Sequence, residues 1–152
     1  MQTTRRRWRG WLGGHDVVIS ATPFIGTDFK ALALRQAGVV RWLVVGGAAS
    51  LEVAPGKRLL DQPGFPEAYK KEATKGAETL DLLCGIKDLD WTFLSPSAMF
   101  IPGDRIGKFR LGKNELLSSD NGSSIWFEDY AIAMVDELET PQHIRQRFTV
   151  GY

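Results

Sequence analysis

Two short runs of mainly apolar residues, at positions 16–21 and 39–45, are each followed by small or turn-forming residues. Short apolar runs are typical of strands that are covered on both faces, as the strands of parallel sheets are. Between the runs, Thr27 suits a helix N-cap, Asp28 suits the positive end of that helix, and Gly38 suits its end. The order strand, helix, strand predicts one βαβ unit with a right-handed crossover.

A second predicted helix follows a segment that is rich in Gly and Pro. Residues 50–66 predict a loop over the end of the second strand. Pro66 fits the first turn of the helix, and apolar residues then recur at helical spacing until Gly85 ends the run. This spacing places Cys84 on the core-directed face of the helix.

The C-terminal half predicts two more strands and one more helix. Residues 89–95 form an apolar run that Pro96 ends, and residues 147–152 can add a final strand. Residues 128–138 predict an amphipathic helix that begins with two carboxylates. Residues 98–124 have mixed polarity and weak periodicity, which predicts an irregular substrate-side region outside the core.

These elements together predict an α/β fold, with a partial Rossmann-type parallel sheet and flanking helices. The sheet would hold the equivalents of strands 4, 5 and 6 of a doubly wound domain, together with a C-terminal strand. A chain of 152 residues with 43% hydrophobic and 24% charged residues has the composition of one globular domain. We therefore predict one domain over residues 15–152, preceded by a basic, disordered tail over residues 1–14.

Charge and cysteine content argue against several classes of protein. The formal net charge is +1, so no overall field favours nucleic acid or an anionic membrane. The basic segment 5–9 has two interpretations, a nucleic-acid contact or a solvated tail. No apolar run is long enough to span a membrane, and the single Cys84 cannot form an internal disulfide. We expect a soluble, cytoplasmic protein with no nucleic acid and no membrane among its partners.

The order and spacing of five segments resemble the atypical short-chain dehydrogenase/reductase family of NAD(P)-binding proteins, and within it the NADH-flavin and biliverdin-reductase-like group. The segments that carry the resemblance are residues 15–21, 42–51, 90–97, 128–131 and 147–152. The resemblance implies an NAD(P)H-dependent reductase that passes a hydride to a flavin or another small conjugated acceptor. No metal is expected, because no group of Cys and His residues has the spacing of a metal site.

The resemblance also implies where the cofactor binds. In such proteins, the residues that follow three successive strands line the ribose and nicotinamide side of the cofactor. The corresponding positions here are Ser20, Ala21, Thr22, Gly46, Gly47, Ala48, Pro96, Ser97, Ala98, Met99 and Phe100. Small residues would let the backbone approach a sugar or a phosphate closely. The alternative is that these residues only end buried strands, and that Pro96 only ends its own.

Two residues are candidates for catalysis by the same resemblance. Ser50 occupies a position from which a hydroxyl can donate a hydrogen bond to developing negative charge, although it can also simply turn the loop. The usual acid of the family is a tyrosine with a lysine four residues later, and the positive charge lowers the tyrosine pKa. Tyr69 is followed at that offset by Ala73, so its alternative interpretation is a surface aromatic.

The expected glycine-rich turn, Gly-x-Gly-x-x-Gly, does not occur in the chain. In intact relatives this turn holds the cofactor pyrophosphate at a helix N-terminus. We therefore expect a truncated domain that binds dinucleotide weakly and that exposes strand 16–21 as an apolar edge for self-association. Two further interpretations stay open: a non-catalytic truncated or interaction protein, and a redox-sensing regulator on the same fold.

Overall fold

The computed structural model describes residues 10–152 of the chain. Residues 10–12 are helical, and the nine strands and three helices that follow them are labelled in chain order. They are β1 (Val17–Ser20), α1 (Thr27–Ala37), β2 (Arg41–Val45), β3 (Glu52–Ala54), β4 (Lys57–Arg58), α2 (Glu67–Cys84), β5 (Asp90–Pro96), β6 (Met99–Ile101), β7 (Arg110–Gly112), β8 (Ser124–Trp126), α3 (Phe127–Glu139) and β9 (Gln146–Gly151). A short 3₁₀ helix, Leu59–Asp61, precedes α2.

The central sheet has five strands in the order β1-β2-β5-β9-β7. The first four strands run parallel, and β7 pairs antiparallel with β9. The predicted α/β fold with a mostly parallel sheet is therefore confirmed. Because parallel strands end at the same edge, the segments that follow β1, β2 and β5 all leave the sheet on one side.

The helix between β1 and β2 begins differently from the expectation. Its N-cap is Gly26, whose φ of 66° is in the left-handed region, and Thr27 is already helical. The Thr27 side chain is buried, and its hydroxyl forms a hydrogen bond of 3.1 Å with the Thr79 hydroxyl of α2. Thr27 therefore joins two helices instead of capping one. Gly38, with a φ of 74°, ends the helix as predicted.

Alternate residues of each central strand supply two separate cores. On one face, Trp42 and Phe93 pack with α1 and α2. On the other face, Leu43 and Leu94 pack with α3 and with Phe148 of β9. Each of these large side chains stabilises the fold by roughly 1.5–3 kcal/mol relative to exposure. Burial on both faces explains why the parallel strands appear in the sequence as continuous apolar runs.

The position predicted for Cys84 in the core is wrong, because its side chain is exposed. Leu83, which is fully buried, occupies the core position at the end of α2. The next residue of a helix is rotated by about 100°, and this turns Cys84 towards solvent.

Two segments that were predicted to be irregular contain short strands. Within residues 50–66, β3 and β4 form a two-stranded antiparallel ribbon. Within residues 98–124, β6 pairs with β8 in a second two-stranded sheet, and β7 joins the central sheet. Leu117 of this region is buried, so part of it belongs to the core. Strands of two or three residues are too short to produce a side-chain period that the sequence could reveal.

One edge of the central sheet is open within the part of the chain that the structure describes. There β1 pairs only with β2, and Ile19 is 44% exposed. Of the tail predicted for residues 1–14, residues 1–9 and with them the basic segment 5–9 lie outside the described residues. Leu12 is buried in the core beside α1. No helix among residues 10–152 is long and apolar enough to cross a membrane.

Candidate functional site

A cleft of about 530 Å³ lies at the carboxyl edge of the parallel strands. Its walls are the segments after β1, β2 and β5, the first half of α2, and the loop of residues 62–66 that precedes this helix. The volume falls within the roughly 300–1,000 Å³ of small-molecule sites, which are also mostly apolar. In open α/β sheets, ligands generally bind at the carboxyl ends of the strands, and this cleft lies at that edge.

Four of the residues singled out in the sequence line this cleft, namely Gly47, Ala48, Tyr69 and Ala98. Gly47 and Ala48 follow β2, and Ala98 follows β5, so small residues from two adjacent strands meet at one wall. Tyr69 belongs to the first turn of α2 and is 68% exposed. Its phenol therefore stands at the rim, where it can reach both a bound molecule and solvent.

Ser50 is occupied by a contact with a distant residue. Its hydroxyl oxygen accepts a hydrogen bond from Arg147 Nη1 at 2.9 Å, and its carbonyl oxygen accepts one from Nη2 at 3.3 Å. Burial lowers the pKa of Arg147, although the nearby Glu52 opposes this effect. Ser50 does not line the cleft, and its contact with Arg147 fixes the segment that carries Gly47 and Ala48.

Ser20, at the end of β1, and Thr22 lie beside a different, smaller cavity. Ser20 accepts a hydrogen bond from Trp42 Nε1 at 3.0 Å, and Thr22 accepts one from Lys30 Nζ at 2.8 Å. Both side chains line a cavity of about 80 Å³ beside β1, and Ala21 between them is exposed. Burial lowers the pKa of Lys30, and the charge of Glu72 acts in the opposite direction.

Gly46 and Ser97 have roles in packing. A Cβ atom at Gly46 would lie 2.4 Å from the Phe93 ring and 2.7 Å from the carbonyl oxygen of Leu94. The backbone nitrogen of Gly46 also donates to that carbonyl oxygen at 2.9 Å. The hydroxyl of Ser97, which is fully buried, donates to the carbonyl oxygen of Val150 at 3.0 Å.

The remaining candidates after β5 have three different surroundings. Pro96 is buried as the last residue of β5. Met99 is 54% exposed. The Phe100 ring packs against Phe127 and Tyr130, with ring centroids 4.5 Å and 4.6 Å away. Phe100 therefore contributes to the core beside α3, and none of these three residues lines the cleft.

Phe24 is a wall of the cleft that sequence reasoning missed. Its ring stacks on Phe93 at a centroid distance of 6.1 Å and an interplanar angle of 26°. The ring lies so close to α2 that a Cβ atom at Gly76 would be only 3.0 Å from it. The backbone nitrogen of Phe24 donates to Glu72 Oε1 at 3.0 Å. A glycine inside the otherwise regular helix α2 is the sequence signal that could have indicated this close approach.

The labelled helices α1, α2 and α3 offer little support for a phosphate group. Each helix has a carboxylate in its first turn: Asp28 in α1, Glu67 in α2, and both Glu128 and Asp129 in α3. These side chains already complement the positive ends of the helix dipoles, and they would repel a pyrophosphate. The apolar cleft and its small residues fit a nicotinamide or an acceptor ring. Residues 10–152 contain no group of three His, Cys, Asp or Glu side chains that could hold a metal ion.

The chain resembles several proteins over most of its length. It is 46% identical over 121 residues to "Uncharacterized protein YwnB" of Bacillus subtilis (strain 168), covering 77% of this chain and 57% of that protein. The chain thus spans little more than half the length of this relative. Among solved structures, a "putative exported protein" of Burkholderia pseudomallei is 44% identical, with a TM-score of 0.91 over 97% of this chain and 77% of that one. No family model matches the chain.

Two further solved structures have names that indicate an activity. A "putative epimerase" of Bacteroides thetaiotaomicron is 40% identical, with a TM-score of 0.90 over 97% of this chain and 72% of that one. A "putative NADH-flavin reductase" of Streptococcus pneumoniae is 38% identical, with a TM-score of 0.80 over 94% of this chain and 74% of that one. A short-chain dehydrogenase/reductase of Veillonella parvula in complex with NADP, 16% identical with a TM-score of 0.74, shares the fold. The chain therefore belongs to the Rossmann-type oxidoreductase family that includes the Streptococcus pneumoniae protein.

Proposed function

We propose that the protein contributes the acceptor side of an NAD(P)H-dependent reductase, whose acceptor is a flavin or another small conjugated ring. The observation that carries the proposal is the apolar cleft at the carboxyl edge of β2 and β5, where Gly47, Ala48 and Ala98 leave room for flat rings. The kinship with a protein named as an NADH-flavin reductase supports the same reaction.

The reaction must balance two electrons and two protons. NAD(P)H, when bound, supplies a hydride, which carries both electrons and one proton to the acceptor. The second proton comes from solvent, which reaches the cleft through its open rim. In this proposal Tyr69 donates a hydrogen bond to a heteroatom of the acceptor at that rim.

Other residues hold the cleft in shape. Gly47 and Ala48 have no bulk that would keep a ring away from the strand end. Ser50 and Arg147 hold the segment after β2 against β9 through two hydrogen bonds. Ser50 is thus proposed to position the cleft, in place of the direct catalytic role that its sequence position implied.

We further propose that the described residues bind the dinucleotide weakly. The carboxylates in the first turns of α1, α2 and α3 support this, because they already complement the positive ends of these three helix dipoles. Titration of the purified chain with NADPH by calorimetry tests this point. A dissociation constant weaker than about 0.1 mM is expected, and micromolar affinity would contradict it.

The experiment for the main proposal is NADPH oxidation in the presence of riboflavin, followed by the loss of NADPH absorbance. Ala48→Phe fills the cleft, so the rate should fall by about tenfold or more. Ala54→Phe is the matched control, because Ala54 is exposed on β3 outside the cleft, and it should keep the full rate. Equal rates for both variants, or no oxidation by the unmodified chain, would reject the proposal.

A second candidate function is self-association through β1. Its support is the open edge of this strand and the exposed Ile19, since a free apolar edge strand readily pairs with a second copy. Sedimentation over a range of concentrations tests it: a dimer that Ile19→Lys dissociates is expected, and a monomer at every concentration would reject it. We propose the cytoplasm as the compartment, where NAD(P)H is available.

A further inference from the structure

We infer that the cleft prefers uncharged, flat acceptors and discriminates against anionic ones, with Glu72 as the source of the discrimination. This deepens the proposed function and rests on it for the identity of the bound molecule as the acceptor. Glu72 is the one charged side chain among the described residues that line the cleft. The other lining side chains are apolar or neutral, so Glu72 is the lining residue that attracts or repels a charged ligand.

The charge of Glu72 is not neutralised by a contact. Among residues 10–152, no basic group forms an ion pair with it. Lys30 interacts electrostatically with Glu72, but its Nζ donates to the Thr22 hydroxyl at 2.8 Å and to the carbonyl oxygen of Pro23 at 3.0 Å. Lys30 therefore forms no ion pair with Glu72 and only partly offsets its charge, and the carboxylate is the charged group that lines the cleft.

Glu72 is also held in a fixed place at the cleft wall. Its Oε1 atom accepts the backbone hydrogen of Phe24 at 3.0 Å, across 48 positions of sequence. The Phe24 ring in turn lies against Phe93 and against the surface of α2 at Gly76. A flat aromatic wall and a carboxylate thus form one unit, in which the ring favours stacking and the carboxylate repels anions.

Two flavins that share a ring system but differ in charge can separate the effect of ligand charge on affinity from the effect of ligand shape. Riboflavin is neutral, whereas flavin mononucleotide carries the same ring system and a phosphate of about −1.5 to −2 charges at neutral pH. Because Glu72 is exposed to solvent, its effect is moderated by water. We expect riboflavin to bind about fivefold more tightly than flavin mononucleotide at low ionic strength.

The experiment measures the affinity of both flavins for the whole chain by quenching of flavin fluorescence, with no nicotinamide present. Glu72→Gln keeps an oxygen that can accept the Phe24 backbone hydrogen but removes the charge. The affinity ratio should fall from about fivefold to less than about twofold. Glu78→Gln is the matched control on the same helix, because Glu78 pairs with Lys75 at 2.6 Å outside the cleft, and it should leave the ratio unchanged.

A second measurement needs no variant. Raising the ionic strength from about 0.01 M to about 1 M shortens the Debye length from about 30 Å to about 3 Å, so the ratio of the unmodified chain should approach one. This salt titration decides the matter if Glu72→Gln does not fold. Equal affinities at low salt, tighter binding of flavin mononucleotide, a ratio that salt leaves unchanged, or no binding of riboflavin would each overturn the inference.

The outcomes separate this inference from the proposed function. If the flavin preference is found but NADPH is not oxidised, the reductase proposal fails and the charge selectivity of the cleft stands. If NADPH is oxidised while the two flavins bind equally, the reductase proposal stands and the role of Glu72 is wrong.

Discussion

Tyr152 donates its phenolic hydrogen to Asp129 Oδ2 at 2.7 Å, and this bond joins the residue after β9 to the first turn of α3. The other oxygen of Asp129 accepts the backbone hydrogens of Ile106 and Gly107, at 3.0 Å and 2.8 Å. Asp129 is fully buried. One carboxylate therefore connects a helix, the segment between β6 and β7, and the end of the chain.

Removal of this carboxylate should be costly. Asp129→Ala leaves two backbone donors and one phenol without their acceptor, so we expect the free energy of unfolding to fall by about 2–4 kcal/mol. Urea denaturation measures it. Asp136→Ala, an exposed position on the same helix, is the control and should change stability by less than about 0.5 kcal/mol. Similar losses in both variants would show that the network contributes little.

The hydrogen bond between Tyr152 and Asp129 predicts that the stability of the fold depends on pH in the alkaline range. Burial raises the pKa of Tyr152 from 10.0 to about 12, with the hydrogen bond to Asp129 adding to the effect. Between these values the unfolded chain loses the phenolic proton and the folded chain keeps it. The stabilising contribution is thus complete below pH 10 and is lost as the pH rises towards 12. The melting temperature should fall more steeply over this window in the unmodified protein than in Tyr152→Phe, and parallel profiles would argue against it.

Gly46 should not tolerate a side chain, because its Cβ atom would lie 2.4 Å from the Phe93 ring, which is itself fully buried. We expect Gly46→Ala to destabilise the fold by about 1–3 kcal/mol, measured by thermal or urea unfolding. Gly85→Ala is the comparison, since its Cβ atom would be at least 3.4 Å from its neighbours and its φ of −79° suits any residue. A loss that is no larger for Gly46→Ala would mean that the strand end adapts easily.

The buried ion pair of Arg41 and Glu137 should matter more than the exposed pair of Arg35 and Asp88. Arg41 Nη2 lies 3.1 Å from Glu137 Oε1, and both side chains are largely buried. Arg41→Met removes the arginine from this carboxylate, which keeps its contact of 2.8 Å with His143 Nδ1, and we expect a cost of about 2–4 kcal/mol in urea unfolding. Arg35→Met breaks a shorter contact of 2.6 Å that is open to water, and should cost less than about 1 kcal/mol. The reverse order would contradict the role of burial.

The predictable part of this fold was local in sequence. The strands β1, β2, β5 and β9 and the ends of α1 and α2 follow from apolar runs and from Gly38 and Gly85, which lie within or next to the elements that they mark. The short strands β3, β4, β6, β7 and β8 were missed because two or three residues show no side-chain period, and β6, β7 and β8 also pair with strands that are distant in sequence. The N-cap assigned to Thr27 was wrong for a related reason, since Thr79 on another helix decides its role.

The candidate site likewise has residues whose position the sequence predicts and residues whose contacts it does not. Gly47, Ala48 and Ala98 could be placed at the cleft because they follow strands whose ends share one edge. The contact of Ser50 could not be predicted, because its partner Arg147 lies 97 positions away. Phe24 was missed for the same reason, since only the folded chain brings it against α2.

The most direct test of the central claim is where riboflavin binds. Amide chemical shifts of the isotope-labelled chain should change on addition of riboflavin at Gly47, Ala48 and Ala98, which line the cleft. The amides around His143 at the far edge of the sheet, beside a separate cavity of about 320 Å³, should stay unchanged. Shifts at His143 with none at Gly47, Ala48 and Ala98 would contradict the assignment of the cleft as the acceptor site.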